Sequence, residues 1–297
     1  MKNVVICGFV RSPFTLAHKG ALARVRPDEM AGQVLKALVA RTGVDPADLE
    51  DVVMGCAFPE GEQGFNLGRI AVFLAGLPQS VAGTTVNRFC GSSMQSIHMA
   101  AGAIQLDGGE AFVCAGVESM TRVPMTGFNP APHPGLHESG ADVYISMGQT
   151  AENLANRYDI SREEQQEFAV ASHAKAHAAR SEGRFEDEIA PIVVGNLRVE
   201  ADGGIREGTS QEVLDTLEPA FDKDGSVTAR TSSPLTDGAA AVLVCTEEFA
   251  ARNELAVLAR IKAIAVAGCA PEIMGYGPVV SSEKALVRAG LKMADIT

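Results

Sequence analysis

VNRFCGSSM, residues 86–94, decides how this chain is read, because a cysteine stands where a β-rich run gives way to a helix, with small residues directly after it. TTVN (84–87) reads as the end of a short strand. In SSMQSIHMAAGAIQL (92–106), Met94, Ile97, Ala101 and Ile104 recur at helical spacing on one face. Cys90 therefore falls at or just before a helix N-terminus. Unpaired backbone N–H groups and the positive end of the helix dipole favour negative charge at such a place, which is what a sulfur nucleophile needs. Gly91, lacking a side chain, leaves room for a substrate carbonyl to come close. The competing reading is that Cys90 packs as a small hydrophobe, as free cysteines commonly do.

Outward from this segment, strand-like and helical runs alternate. VVICGFV (4–10) is a β-rich opening, DEMAGQVLKALVARTG (28–43) an amphipathic helix ended by Gly43, DVVMGCAF (51–58) the next strand, GRIAVFLAG (68–76) another helix, and AFVCAGVE (111–118) the strand after the Cys90 helix. This alternation marks an α/β domain, and its near-continuous apolar strands predict a sheet covered on both faces. The texture changes at about residue 120, where Pro124, Pro130, Pro132, Pro134 and four glycines between 127 and 148 mark a long excursion. Inside it, Ser161 and Glu164 form a capping box ahead of a helix over 163–183, closed by Gly183. Regular α/β patterning resumes over 236–253 and 258–268, and SSEKALVRAG (281–290) reads as a last helix.

Composition narrows the function classes. With 46% hydrophobic and 21% charged residues in 297, the chain has ordinary globular usage and enough length for one large or two moderate domains. A formal net charge of −12 argues against nucleic-acid binding and requires a local basic pocket for any polyanionic ligand. The six cysteines, at 7, 56, 90, 114, 245 and 269, lack the spacing of a zinc site or a small disulfide scaffold, so a reducing cytoplasm is expected. No run approaches the ~18 apolar residues of a membrane span, and MKNVVICGFVRSPF does not read as a signal peptide.

Histidines offer Cys90 no obvious base. His98 lies on the same helix, about 12 Å away at 1.5 Å per residue. His173 and His177 have the i, i+4 spacing of metal ligands, but a helix full of Ala, Lys and Arg reads better as a solvated face; no metal is expected. His133 and His137 sit in the proline-rich stretch and read as structural or exposed.

Several segments stand in a telling order: FVRSPF (9–14), GCAFPEGEQGFNLGRIA (55–71), VNRFCGSSMQSIHMAAGAIQL (86–106), AFVCAGVESMTRVPM (111–125), MGQTAENLANRYDISREEQQEFAVASH (147–173), VTARTSSPLTDGAAAV (227–242) and PEIMGYGPV (271–279). The ordered set resembles the thiolases, enzymes that make or cleave 3-ketoacyl-CoA thioesters. The resemblance implies an α/β thiolase-like fold with a first βαβαβαββ half at 1–120 plus 236–253, a loop domain inserted at 121–235, and an incomplete second half starting at 257–297. Three further family motifs follow the point where these residues stop: a Gly-His-Pro histidine that activates the cysteine, a glycine-rich motif with an acid/base cysteine, and an Asn-Glu-Ala-Phe segment that anchors a water. The sequence is therefore expected to be a C-terminally truncated thiolase, inactive by itself, since half a sheet cannot cover both its faces.

The resemblance also implies Cys90 as the acyl-carrying nucleophile, with its backbone N–H as one oxyanion donor, and coenzyme A as a substrate rather than a resident cofactor. Ser233 falls where the family contacts the pantetheine arm, and Met147 where it lines the acyl pocket. Two departures concern CoA: Glu218 precedes Pro219-Ala220-Phe221, where a basic residue is common, and Arg230 replaces a usual glycine. Either the two exchange charge and preserve phosphate binding, or Glu218 weakens it by like-charge repulsion. GVESMTRVPM, HPGL (133–136), TSSPLTDGAAAV and MGYGP resemble degradative 3-ketoacyl-CoA thiolases of fatty-acid β-oxidation more than biosynthetic acetoacetyl-CoA thiolases. Implied partners are acyl-CoA and CoA, a second or further copies in a homodimer or homotetramer, and a β-oxidation complex. A noncatalytic acyl-CoA-binding or dimerisation fragment is the alternative from another class; a ketoacyl synthase-like condensing enzyme lacks the loop-domain motifs.

Overall fold

Helix boundaries follow local chemistry. Pro27 opens the first long helix with a preset φ, and Gly43 closes it in the left-handed region (φ 71°), its N–H bonded to the Val39 carbonyl. In the computed structural model, which describes residues 2–140 and 142–297, the elements run β1 (Val4–Arg11), β2 (Thr15–Leu16), α1 (Pro27–Thr42), β3 (Asp51–Gly55), α2 (Leu67–Leu74), β4 (Ala82–Val86), α3 (Ser92–Gln105) and β5 (Ala111–Ser119). They continue with α4 (Pro134–Glu138), α5 (Met147–Arg157), α6 (Arg162–Ser181), β6 (Ile192–Val194), β7 (Leu197–Val199), α7 (Gln211–Asp215), β8 (Thr236–Thr246), α8 (Glu247–Arg252), β9 (Ala259–Arg260) and α9 (Gly277–Ala289).

Two compact units emerge. The first comprises residues 1–129, 185–204 and 235–261. Its mixed sheet has the order β4-β3-β5-β8-β1-β9, with β2 on β8. β3 runs parallel to β4 and β5, whereas β8 is antiparallel to both β5 and β1. Central strand β5 is buried from Ala111 through Val117, as its apolar sequence requires. One face packs Met30, Val34, Leu35 and Leu38 of α1 and Ala71 and Val72 of α2; the other packs Ala100, Ala101 and Ile104 of α3 against Val4, Phe112, Cys114 and Val244. Double coverage holds for the central strands but not for edge strand β4, where Ala82 is exposed and the rest half-buried.

Residues 185–204 belong to this unit although their sequence reads as excursion. The Arg11 guanidinium holds Asp202 through two 2.8 Å hydrogen bonds and pairs with Glu188 at 3.5 Å, and Gln33 Nε2 donates to the Val193 carbonyl. Two expected strands come out shorter. β3 stops at Gly55 rather than Phe58, because the Ala57 N–H turns to the Glu118 carboxylate. The 258–268 run yields only Ala259–Arg260: past the Ile261 N–H to Val4 carbonyl bond, the residues ahead of β1 are bonded elsewhere, the Asn3 carbonyl to the Glu247 N–H and the Lys2 backbone to the Gln105 side chain.

The second unit comprises 130–184, 205–234 and 262–297. The capping box forms as its residues predict: Ser161 Oγ accepts the Glu164 N–H (3.1 Å) and the Ser161 N–H donates to Glu164 Oε2 (2.8 Å). Buried Glu152 of α5 accepts the Val227 and Ser226 N–H groups (2.9 and 3.0 Å), which fixes the chain leading into 228–233. Tyr158 at the end of α5 stacks on Tyr276 at 5.7 Å. No helix of the described residues is long and apolar enough to cross a membrane.

Candidate active site

Cys90 lies in the first unit, in the tight turn from β4 to α3, and its side chain is exposed. Gly91 is the N-cap of α3, so Cys90 stands one residue outside the helix. Phe89 is left-handed (φ 46°), an uncommon state for an aromatic residue, and the local hydrogen bonds compensate. Ser92 Oγ accepts the Arg88 N–H (2.9 Å) and donates to the Phe89 carbonyl (2.6 Å), while the Ser92 N–H also reaches that carbonyl (3.0 Å).

Two glycines seat the helix start. A Cβ on Gly55, at the end of β3, would lie 2.6 Å from both the Ser92 carbonyl carbon and the Ser93 nitrogen; one on Gly116 of β5 would lie 1.9 Å from Ser93 Oγ. The first turn of α3 thus rests directly on the strand backbones. Neither glycine stood out in the sequence, yet glycine near the end of an apolar strand is the available sign of close backbone approach.

Exposure sets Cys90 apart from most of the other thiols. Cys7, Cys56, Cys114 and Cys245 are buried; burial pushes Cys114 up to about 12 and raises the other three as well. Cys269 is exposed, with Sγ near the Ile273 and Met274 carbonyls. The helix N-terminus, the exposed sulfur and the glycine beside it suit attack on a carbonyl carbon.

The other residues singled out from sequence lie in the second unit. Met147 begins α5 and is 44% exposed; the next residue, Gly148, packs against the Phe221 ring, which brings the Glu218–Phe221 segment to this helix start. Ser233 is exposed beyond a turn in which Thr231 N–H and Ser232 Oγ bond back to Thr228. Arg230 is half-buried and Glu218 exposed; they flank the Pro219–Thr228 bridge without pairing, and neither has an ion-pair partner among the described residues. His173 Nδ1 accepts the Arg206 N–H (3.3 Å), and burial together with Arg206 and Arg230 lowers its proton affinity. His177 Nδ1 lies 3.6 Å from Glu207. Among the described residues no three His, Cys, Asp or Glu side chains converge as metal ligands. The His133 N–H bonds Tyr144, while the His137 side chain lies outside the described residues.

Comparison with known proteins gives a consistent result. Residues 4–248 match the family described as thiolase, N-terminal domain, and 255–297 match thiolase, C-terminal domain. Similar curated relatives include 3-ketoacyl-CoA thiolases of Photobacterium profundum (47% identical over 303 residues, all of this chain and 78% of the relative) and Bacillus subtilis (43% over 309 residues, all of this chain and 79% of the relative). A solved structure, the Bacillus anthracis acetyl-CoA acetyltransferase, superposes with a TM-score of 0.90 at 38% identity, covering 99% of this chain and 78% of that one.

Proposed function

The chain belongs to the thiolase family, and from that premise we propose that it serves thiolytic cleavage of 3-ketoacyl-CoA in fatty-acid β-oxidation, with Cys90 carrying the acyl group. The observation that carries this reading is the exposed Cys90 thiol at the start of α3. Thiolase-type acyl transfer is the activity of its relatives' names, and Cys90 is the nucleophile such chemistry needs.

The steps follow from the chemistry of the bond. The Cys90 sulfur, its proton taken by a base, attacks the C3 carbonyl, and the N–H of Cys90 donates to the developing oxyanion. The C2–C3 bond breaks, its electrons pass to C2, and a proton delivered there releases acetyl-CoA. A second CoA thiolate then takes the acyl group from sulfur, which returns as the thiolate. Residues 1–297 contain no Gly-His-Pro triplet, so the histidine base that the thiolase resemblance implies is not among them.

CoA enters as substrate. Ser233 is assigned to its pantetheine arm, Met147 to the acyl pocket, and Arg230 to its phosphates, a role favoured by its lack of an acidic partner in a chain of net charge −12. The loop-domain limits 121–235, the homodimeric or homotetrameric state and the cytoplasmic setting belong to the same proposal. The second reading, a biosynthetic acetoacetyl-CoA thiolase, is favoured by the name of the solved neighbour.

Mass spectrometry after incubation with 3-ketoacyl-CoA of several chain lengths tests the acyl-enzyme: an adduct on the Cys90 peptide, absent in Cys90→Ser, is expected. Adducts from acetoacetyl-CoA alone favour the biosynthetic reading, and binding with no adduct in a chain extended by a relative's C-terminal motifs favours the noncatalytic one. For CoA, Arg230→Ala is expected to weaken affinity by about tenfold, as for one lost charge-assisted contact. Unchanged affinity in both Arg230→Ala and Glu218→Arg removes these residues from the phosphate site.

A further inference from the structure

The left-handed residue before Cys90 is held by a chain of contacts that reaches into the core of the first unit. Asn87 Oδ1 accepts the Phe89 N–H at 2.8 Å, and Asn87 Nδ2 donates to the Ala57 carbonyl at 2.9 Å. The same Ala57 peptide segment is gripped from the other side, where its N–H donates to Glu118 Oε2 at 2.7 Å. Glu118 Oε1 in turn accepts from Gln63 Nε2 at 2.7 Å, and fully buried Gln63 is anchored through the Phe58 carbonyl (2.8 Å) and the Ser119 N–H (2.6 Å). The rings of Phe58 and Phe89, one from each segment, lie 5.9 Å apart.

We propose that Asn87 and Glu118 are positioning residues for Cys90, acting through the backbone of Ala57 to hold Phe89 left-handed and Cys90 at the start of α3. This rests on Cys90 being the nucleophile. Two observations point the same way. A phenylalanine at φ 46° is strained, and the Asn87 amide supports it with one bond to the Phe89 N–H and one to fixed backbone. Glu118, moreover, has no cationic partner among the described residues, and burial pushes its carboxyl above the usual range, so the N–H groups of Ala57 and Gln63 are what offset its desolvation. Its geometric return is the Ala57 N–H, a strand-end donor that β3 leaves unpaired.

Iodoacetamide rates at Cys90, read by peptide mapping with exposed Cys269 as an internal control, test the relay in the 297-residue chain. Asn87→Ala is expected to slow Cys90 by about two- to fivefold, the range of a lost helix N-terminus interaction, with Cys269 unchanged. In a Phe89→Gly background, where glycine takes positive φ unaided, the same substitution is expected to have no effect. Glu118→Ala is expected to slow Cys90, and Glu118→Gln, whose carbonyl still accepts the Ala57 N–H while its NH2 has to face that of Gln63, to restore it in part. Equal slowing by Asn87→Ala with and without Phe89→Gly, or an unchanged Cys90 rate in both Asn87→Ala and Glu118→Ala, overturns the proposal. Where Asn87→Ala fails to fold, Glu118→Gln against Glu118→Ala decides by the same readout. A wild-type Cys90 slower than Cys269 would sink the nucleophile assignment itself, a separate result from failure of the relay.

Discussion

Cys90 combines two properties that seldom coincide in one free cysteine: its side chain is open to solvent, and it adjoins a 14-residue helix whose first turn is seated on strand backbone. Alkylation should therefore reach it at least about tenfold faster than Cys7, Cys56, Cys114 or Cys245, which react only through opening of the core. Stoichiometric labelling followed by peptide mapping checks this; a buried thiol modified first would count against the assignment. The placement of Cys90 between a strand end and a helix start was legible in the sequence because what marks it is local: the strand end, the small residues and the apolar face of α3 lie within 84–106. Asn87 and Glu118 were not legible, because their connection runs through a backbone segment, Ala57, that only tertiary folding brings between them. Gln63 was hidden for the same reason, as a polar residue at zero exposure is the opposite of what its composition class suggests.

Elements begin and end where caps and glycines put them, and these signals were readable: Gly43 for α1, and Ser161 with Glu164 for α6. What the sequence hid was pairing. β8 lies antiparallel between β5 and β1, a long-range choice no periodicity encodes, and the 258–268 run fails to extend β9 because Asn3 and Lys2, ahead of β1, bond to Glu247 and Gln105 instead. The contact of α3 with the strand ends gives a graded prediction. At Gly55 an added methyl would meet the α3 backbone, which cannot move aside without displacing the helix start; at Gly116 it would meet Ser93 Oγ, which can rotate. Gly55→Ala is thus expected to cost about 1–3 kcal/mol and to slow Cys90 alkylation, while Gly116→Ala costs less. Ser93→Ala should relieve Gly116→Ala but leave Gly55→Ala unrelieved. Denaturation midpoints of the four variants check the ranking, and equal losses at the two glycines would show that α3 is not held by backbone contact.

For the molecule as a whole, the division between what residues 1–297 carry and what the family's chemistry requires is sharp. They match the thiolase N-terminal domain over 4–248 and its C-terminal domain over 255–297, and span 78–79% of the length of the relatives compared. The proposed nucleophile Cys90 and the residues proposed for CoA lie within them, but the histidine and second cysteine that the thiolase resemblance implies as base and acid belong to motifs these residues lack. His98 does not substitute: it is half-buried on α3, and burial, then the nearby Arg88, lowers its proton affinity. Loss of a general base and a general acid removes two contributions of roughly 10²–10⁴ each, which do not simply multiply because the groups act as a unit. A polypeptide limited to residues 1–297 is accordingly expected to show less than about a thousandth of the turnover of a relative carrying all the motifs. CoA-dependent loss of acetoacetyl-CoA and of a longer 3-ketoacyl-CoA, followed on a sample shown to be monodisperse by size-exclusion chromatography, measures this. Turnover within about tenfold of such a relative would place the proton-transfer groups inside residues 1–297 and require a different partner for Cys90.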